Sequence, residues 1–135
     1  MSTIFIDTLF VVAQISQRDQ YHARAEKLAQ RYDGNRFLTT DAVLLEIADS
    51  LAKNFKAEAA QVVDGFFSSP DVEIVRLTST LFDDAWSMYK SHADKQWSLT
   101  DCISFVAMRR TGVTDALTFD HHFEQAGFRA LMRDE

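Results

Sequence analysis

The sequence is poor in cysteine and in the residues that break regular structure. Its 135 residues include four glycines, one proline and one cysteine. So few glycines and prolines leave little room for long irregular segments, and the single Cys102 excludes an internal disulfide. A lone cysteine fits a reducing compartment, so we expect a cytoplasmic protein. The apolar surroundings "CISFVAM" predict that this thiol is buried and unreactive.

Long apolar runs and an excess of positive charge are also missing. There is no run of about 18 uncharged apolar residues, and the first residues lack the basic start and apolar stretch of a signal peptide. We therefore expect no membrane segment. The net charge of −6 argues against a protein that coats nucleic acid through bulk positive potential. The negative charge does not exclude an enzyme that binds phosphate groups through bound cations.

Short apolar runs alternate with helical patterns along the whole chain. Hydrophobic residues make up 47% of the sequence, which is ample for a folded core. The predicted strands are "TIFI", "RFLTT", "VEIVRL", "DALTF" and "FRALM". Because helices repeatedly separate these strands, the pattern predicts an α/β fold with a mainly parallel sheet covered on both faces. No linker or repeat interrupts it, so we expect a single domain over residues 1–135.

Several helix ends carry recognisable signals. Thr39 or Thr40 can cap the helix "DAVLLEIADSLAKNF". Ser98 stands three residues before Asp101, an arrangement like a capping box, and Gly112 is placed to stop the helix that begins there. These signals fix where helices begin relative to the strands.

Four acidic residues are expected at one edge of the sheet. Asp7 follows the first strand and Asp120 the fourth, while Asp101 lies in the first turn of the helix that feeds the fourth strand. Glu46 lies within two turns of the start of the helix after the second strand. Carboxyl ends of parallel strands and the starts of the helices that join them share an edge, so the four acids should line one pocket.

A cluster of this kind predicts a metal site. Neighbouring carboxylates repel and raise one another's pKa, and proteins keep that cost mainly where a hard cation relieves it. Ligands that are all oxygen suit Mg²⁺ or Mn²⁺, and such ions promote attack of water on a phosphodiester. Each acid taken alone has a structural alternative, as a turn residue, a helix cap or a solvated helix position.

The blocks that carry these acids resemble a known family. "FIDT", "TTDAVLLE", "SLTDCISFVAMRR" and "ALTFDHHFEQAGF" look like the acidic motifs of PIN-domain ribonucleases, in particular the small bacterial toxins of the virulence-associated protein C class. The resemblance covers nearly the whole chain and keeps the motif order. It implies a three-layer α/β/α fold with a five-stranded sheet of order 3-2-1-4-5. It also implies Mg²⁺- or Mn²⁺-dependent endoribonuclease activity, frequent homodimers and, for toxin members, an antitoxin partner.

The resemblance carries over to individual residues. The carboxylates it implies as metal-binding and catalytic are Asp7, Glu46, Asp101 and Asp120. Thr8 and Thr118 match family positions whose hydroxyl groups orient carboxylates or hold water on the metal. Leu9 departs from the family pattern, because members often carry a small polar residue there, so one supporting contact is in question.

Two other functions are compatible with the fold. An aspartate-nucleophile phosphatase using Asp7 would usually carry a second Asp two residues later, where this chain has Leu9. A catalytically silent PIN-like module that binds a partner protein would be expected to have lost one of the acids, and all four are present. No motif that reads nucleic-acid bases is visible, so the RNA target is left open.

Several further residues have competing interpretations. His121 and His122 could bind a metal or phosphate, but adjacent histidines after a turn are expected to be exposed. Scattered basic residues could contact an RNA backbone: Arg18, Arg36, Lys53, Lys56, Lys90 and Lys95. Structural roles are expected for Arg109 and Arg110 at a helix end, and for Trp86 and Tyr89 in core or dimer packing, while Trp97 is open. An interaction surface could involve Phe55, Phe66 and Phe67, with core packing as the default.

Overall fold

A computed structural model describes residues 2–134. Its strands are β1 (Ile4–Ile6), β2 (Phe37–Thr40), β3 (Val72–Val75), β4 (Asp115–Leu117) and β5 (Arg129–Ala130). Its helices are α1 (Thr8–Ile15), α2 (His22–Arg31), α3 (Asp41–Leu51), α4 (Lys56–Ser68), α5 (Ser79–Ser91), α6 (Leu99–Thr111) and α7 (His121–Gln125), and a 3₁₀ turn spans Leu131–Arg133. The alternation of strand and helix predicted from the sequence is confirmed.

The strands form one parallel sheet of order β3-β2-β1-β4-β5. This confirms the α/β prediction and the order 3-2-1-4-5. The central strand β1 reads "IFI", and all three residues are buried, so helices cover both faces of the sheet at its centre. Chain order reverses at β1, with β2 on one side and β4 on the other, which is where ligand sites form in such sheets.

The predicted caps set where two of the pocket's helices begin. Thr40 caps α3, and its Oγ1 accepts a hydrogen bond from the Val43 N–H at 3.2 Å. Ser98 and Asp101 form both bonds of a capping box at the start of α6. At the other end of α6, Gly112 has φ +73°, a left-handed conformation that glycine adopts without steric cost. The capping predictions are therefore confirmed, with Thr40 as the cap rather than Thr39.

Several predicted elements are shorter than the sequence indicated, most clearly the helix α3 and the strand β5. The helix expected to reach residue 55 ends at Leu51, which is buried, because residues 52–54 are exposed and have no apolar face to pack. The last strand has two residues before the chain tightens into the 3₁₀ turn. That turn buries Leu131 and Met132, and the Met132 N–H donates to the Thr118 carbonyl at 3.1 Å. This contact fixes the chain just after β4.

A continuous core joins the sheet to its helices. Its largest fully buried side chains include Phe5, Phe105 and Phe123. Phe105 meets Phe123 edge to face at 5.0 Å between ring centroids, which fixes α6 against α7. Within residues 2–134 we find no helix long and apolar enough to cross a membrane.

Candidate active site

A pocket of about 320 Å³ lies at the edge of the sheet where β1 and β4 end. The four predicted acids line it: Asp7, Glu46, Asp101 and Asp120. The other lining residues are Thr8, Leu9, Ser50, Gln96, Ser98 and His122. The structure thus brings together side chains from the starts of α1, α6 and α7 and from the second turn of α3, as the sheet topology predicted.

Asp7 has little contact with solvent. Only 5% of its surface is exposed, and its Oδ2 accepts a hydrogen bond from the Thr118 hydroxyl at 2.7 Å. The pKa of Asp7 is raised to about 7, mainly by burial and to a smaller extent by the carboxylates of Asp101 and Asp120, while the hydrogen bonds from Thr118 and the Thr8 N–H oppose the change. At neutral pH this carboxyl is therefore divided between its two protonation states, and a cation in the pocket would favour the ionised form.

Thr118 joins two of the acids through a single hydroxyl. It donates to Asp7 and accepts from the Asp120 N–H at 3.1 Å. Thr118 is fully buried, so no water competes for these bonds. The sequence prediction that Thr118 orients a carboxylate agrees with this contact.

Thr8 makes the corresponding contact on the other side of the pocket. Its Oγ1 donates to Glu46 Oε1 at 2.7 Å, which ties the first turn of α1 to α3. Thr8 is buried and Glu46 half-buried. Leu9, at the position where family members often carry a polar side chain, lies half-buried at the pocket wall.

Asp101 serves both as a helix cap and as a pocket residue. Its Oδ2 accepts a hydrogen bond from the Ser98 N–H at 3.0 Å, and its own N–H donates to Ser98 Oγ at 3.0 Å. Burial raises the pKa of Asp101, and the nearby Asp120 carboxylate adds to the increase, while the Ser98 backbone bond opposes it. The structural and functional interpretations of this acid therefore do not exclude each other.

His122 is the pocket residue whose exposure was predicted wrongly. Its side chain is only 18% exposed, whereas that of His121 is 57% exposed. Its Nδ1 lies 3.0 Å from Asp120 Oδ1 and 3.5 Å from Asp101 Oδ2. The sequence contained no signal that separates the two histidines, because the cap bond from the His122 N–H to Asp120 Oδ1, at 2.9 Å, involves the backbone and not the imidazole.

The aromatic predictions had mixed outcomes. Trp97 is buried, donates its Nε1–H to Gln125 Oε1 at 3.0 Å, and so ties the segment before α6 to α7. Trp86 and Tyr89 do not pack in the core; each is about two-fifths exposed, and their rings stack on the outer face of α5, 5.4 Å apart. Core packing was therefore wrong for these two residues, and dimer packing stays a prediction.

The remaining candidates lie away from the pocket. Phe55 and Phe66 pack against the core, as the default interpretation held, whereas Phe67 is 53% exposed. Arg109 donates to the Ala126 carbonyl at 3.2 Å, and Arg110 pairs with Asp84. These contacts agree with the structural roles expected for the two arginines.

The family follows from comparison with known proteins. The model of the PIN domain matches residues 4–129. The chain belongs to the PIN-domain family. PIN-domain nucleases generally use divalent metal ions, so the pocket at the end of β1 and β4 is the part of this PIN domain where an ion would be expected.

Named relatives of this PIN domain are nucleases. The chain is 30% identical over 125 residues to the 23S rRNA-specific endonuclease VapC20 of Mycobacterium tuberculosis, in strains CDC 1551 / Oshkosh and ATCC 25618 / H37Rv. The match covers 93% of this chain and 95% of the relative. The crystal structure of Mycobacterium tuberculosis VapC20, described as a sarcin-ricin loop cleaving toxin, is similar with a TM-score of 0.82 and 29% identity over 93% of this chain and 95% of that one.

The side chains of the pocket fit a divalent cation. Carboxylate oxygens dominate the lining, and burial of Asp7 and Asp101 makes their negative charge costly without a positive partner. One buried nitrogen of the pocket, Nδ1 of His122, has no hydrogen-bond partner among residues 2–134. Donor atoms of Asp120 and His122 lie within 4.8 Å of each other and of His121, but the ring of His121 is exposed and does not line the pocket. Within the described part of the chain, no three of the four acids reach that spacing.

Proposed function

We propose that this protein is a metal-dependent endoribonuclease and the toxin of a type II toxin–antitoxin pair, with residues 1–135 forming one PIN domain. The observation that carries the proposal is that four acids, three at helix starts and one in the second turn of α3, meet at one pocket of a PIN domain. Carboxylates held this close together destabilise the metal-free fold, and this supports a role in binding a cation. The similarity to an endonuclease over 93% of the chain points to the same chemistry.

The proposed ligands of the ion, Mg²⁺ or Mn²⁺, are the carboxylates of Asp7, Glu46, Asp101 and Asp120. The chemistry that such an ion supplies when bound is activation of water and stabilisation of charge on the leaving oxygen of a phosphodiester. The chain's own groups hold the carboxylates in place. Thr118 and Thr8 each donate a 2.7 Å hydrogen bond to one carboxylate, and this reduces the rotational freedom that ion binding would otherwise have to remove.

The proposed substrate is RNA, and the proposed class of RNA is ribosomal RNA. This rests on the names of the relatives, a 23S rRNA-specific endonuclease and a sarcin-ricin loop cleaving toxin. With a net charge of −6, the protein cannot attract RNA by bulk positive potential. Cations bound in the pocket would supply positive charge where the phosphate is cleaved.

A homodimer and a small antitoxin protein are the proposed partners, and the cytoplasm is the proposed location. The toxins that this chain resembles support the partners. The single, free Cys102 is compatible with this location, and burial raises the pKa of its thiol to about 11, so the thiol is unreactive. The antitoxin is expected to cover the acidic pocket.

The decisive experiment is cleavage of a labelled sarcin–ricin stem-loop RNA, followed by mapping of cleavage sites on total RNA. With Mg²⁺ or Mn²⁺ the wild type should cleave, and EDTA should abolish cleavage. Asp101→Asn should cleave at least about a hundredfold more slowly than the wild type, because it removes a negative charge from the metal site. Asp64→Asn is the matched control, since Asp64 lies exposed on α4 and does not line the pocket. No EDTA-sensitive cleavage of any RNA by protein with proven metal binding would refute the proposal.

A further inference from the structure

The unpartnered nitrogen of His122 is the feature of the pocket that carboxylate chemistry does not explain. Two buried side-chain nitrogen or oxygen atoms lack a hydrogen-bond partner among residues 2–134, and Nδ1 of His122 is one of them. Leaving a buried polar atom unpaired is unfavourable. This nitrogen faces two acids, Asp120 and Asp101, that the proposed function assigns to the metal.

The spacing of this nitrogen is that of neighbouring metal ligands. Nδ1 lies 3.0 Å from Asp120 Oδ1, yet the two atoms do not form a hydrogen bond. Two ligands at right angles on an octahedral ion with bonds of about 2.1 Å are about 3.0 Å apart. Asp101 Oδ2 is farther from this nitrogen, at 3.5 Å, and Asp101 does not belong to the group of donor atoms within 4.8 Å that Asp120 and His122 share.

We infer that His122 binds the divalent ion of this pocket through Nδ1, as a nitrogen ligand beside Asp120. The inference rests on the proposed function, since it concerns the same ion. It also has a consequence for the choice of ion. Imidazole suits transition metals better than Mg²⁺, so the site should favour Mn²⁺ over Mg²⁺ more strongly than a site made of oxygen alone.

His121 provides a matched control within the same turn. It is the same residue type, adjacent in the chain, and its Nδ1 lies 3.9 Å from Asp120 Oδ1. It is, however, 57% exposed and does not line the pocket. Replacing either histidine with Gln removes one imidazole from α7, and only the change at His122 should affect the ion.

The experiment measures Mn²⁺ bound to the whole protein by pulsed electron paramagnetic resonance and by calorimetry. The wild type and His121→Gln should show ¹⁴N coupling from a directly bound imidazole, and His122→Gln should lack it. His122→Gln should bind Mn²⁺ at least about tenfold more weakly. It should lose less affinity for Mg²⁺ than for Mn²⁺. The wild-type spectrum is informative even if the variant folds poorly.

The outcomes separate this inference from the proposed function. Mn²⁺ bound by the wild type without ¹⁴N coupling, and more weakly by Asp101→Asn, would overturn the inference while leaving the metal-dependent nuclease intact. In that case the ring of His122 lies beside the two acids without binding the ion. The inference would also be overturned if His121→Gln lost the ¹⁴N coupling and His122→Gln kept it. A wild type that binds neither Mn²⁺ nor Mg²⁺ would overturn both.

Discussion

Replacing Asp7 with Asn should stabilise the metal-free protein, and the gain should grow as pH rises. Asp7 is buried, and its pKa in the folded protein is about 7, against 3.8 for an unperturbed aspartate. Between these two values the folded state holds a proton that the unfolded state has released. The stabilising contribution of the protonated carboxyl is therefore complete below about pH 4 and is lost as pH rises through 7.

The size of the effect follows from the difference between the two pKa values. Each unit is worth about 1.4 kcal/mol, so the ionised carboxylate costs the metal-free fold about 4 kcal/mol above pH 8. Between pH 5 and pH 8 the wild type should lose about 2–3 kcal/mol that Asp7→Asn does not lose. Asn keeps an oxygen that can accept the hydroxyl bond from Thr118, so loss of that bond should offset little of the gain.

The assay is urea unfolding in EDTA at pH 5, 6, 7 and 8, with Asp64→Asn as the control for removing an exposed carboxylate. The free energies of unfolding of wild type and Asp7→Asn should diverge with pH, whereas wild type and Asp64→Asn should stay parallel. If the wild-type and Asp7→Asn curves run parallel from pH 5 to pH 8, the carboxyl of Asp7 is not held protonated by burial, and the reasoning is wrong.

Three further predictions concern the same pocket and its assembly. Saturation with Mn²⁺ at a hundredfold excess over its Kd should stabilise the wild type by about 2.7 kcal/mol in thermal melts, and Asp120→Asn less; identical responses would exclude Asp120 as a ligand. Thr118→Val should lower stability by about 1–3 kcal/mol, because it leaves Asp7 and the Asp120 N–H without a buried partner, and RNA cleavage should fall with it; unchanged unfolding and cleavage would contradict this. Light scattering at micromolar concentration should give twice the 15.4 kDa of one chain, and a clean monomer would refute the homodimer.

The sequence was sufficient for the order of elements and the meeting of the four acids. Alternation of apolar runs with helical patterns is a local signal, and the rules of parallel sheets convert it into a topology. The capping box of Ser98 and Asp101 is also a local signal, since both of its hydrogen bonds join residues three apart in the chain. Ends of elements were less predictable. The helix α3 stops at Leu51 because the segment beyond it has nothing apolar to bury, which depends on where the core lies.

Properties of the pocket that depend on burial were decided only by the tertiary structure. Thr118 bonds Asp7 across 111 residues of sequence, and the pKa of Asp7 follows from water excluded by elements distant along the chain. The adjacent imidazoles of His121 and His122 are equivalent in the sequence, yet burial of Phe123 in the core orients the short helix α7 so that one ring faces solvent and the other the acids. Solvent exposure and contact distances depend on neighbours that are remote in sequence, so no local pattern could distinguish the two histidines.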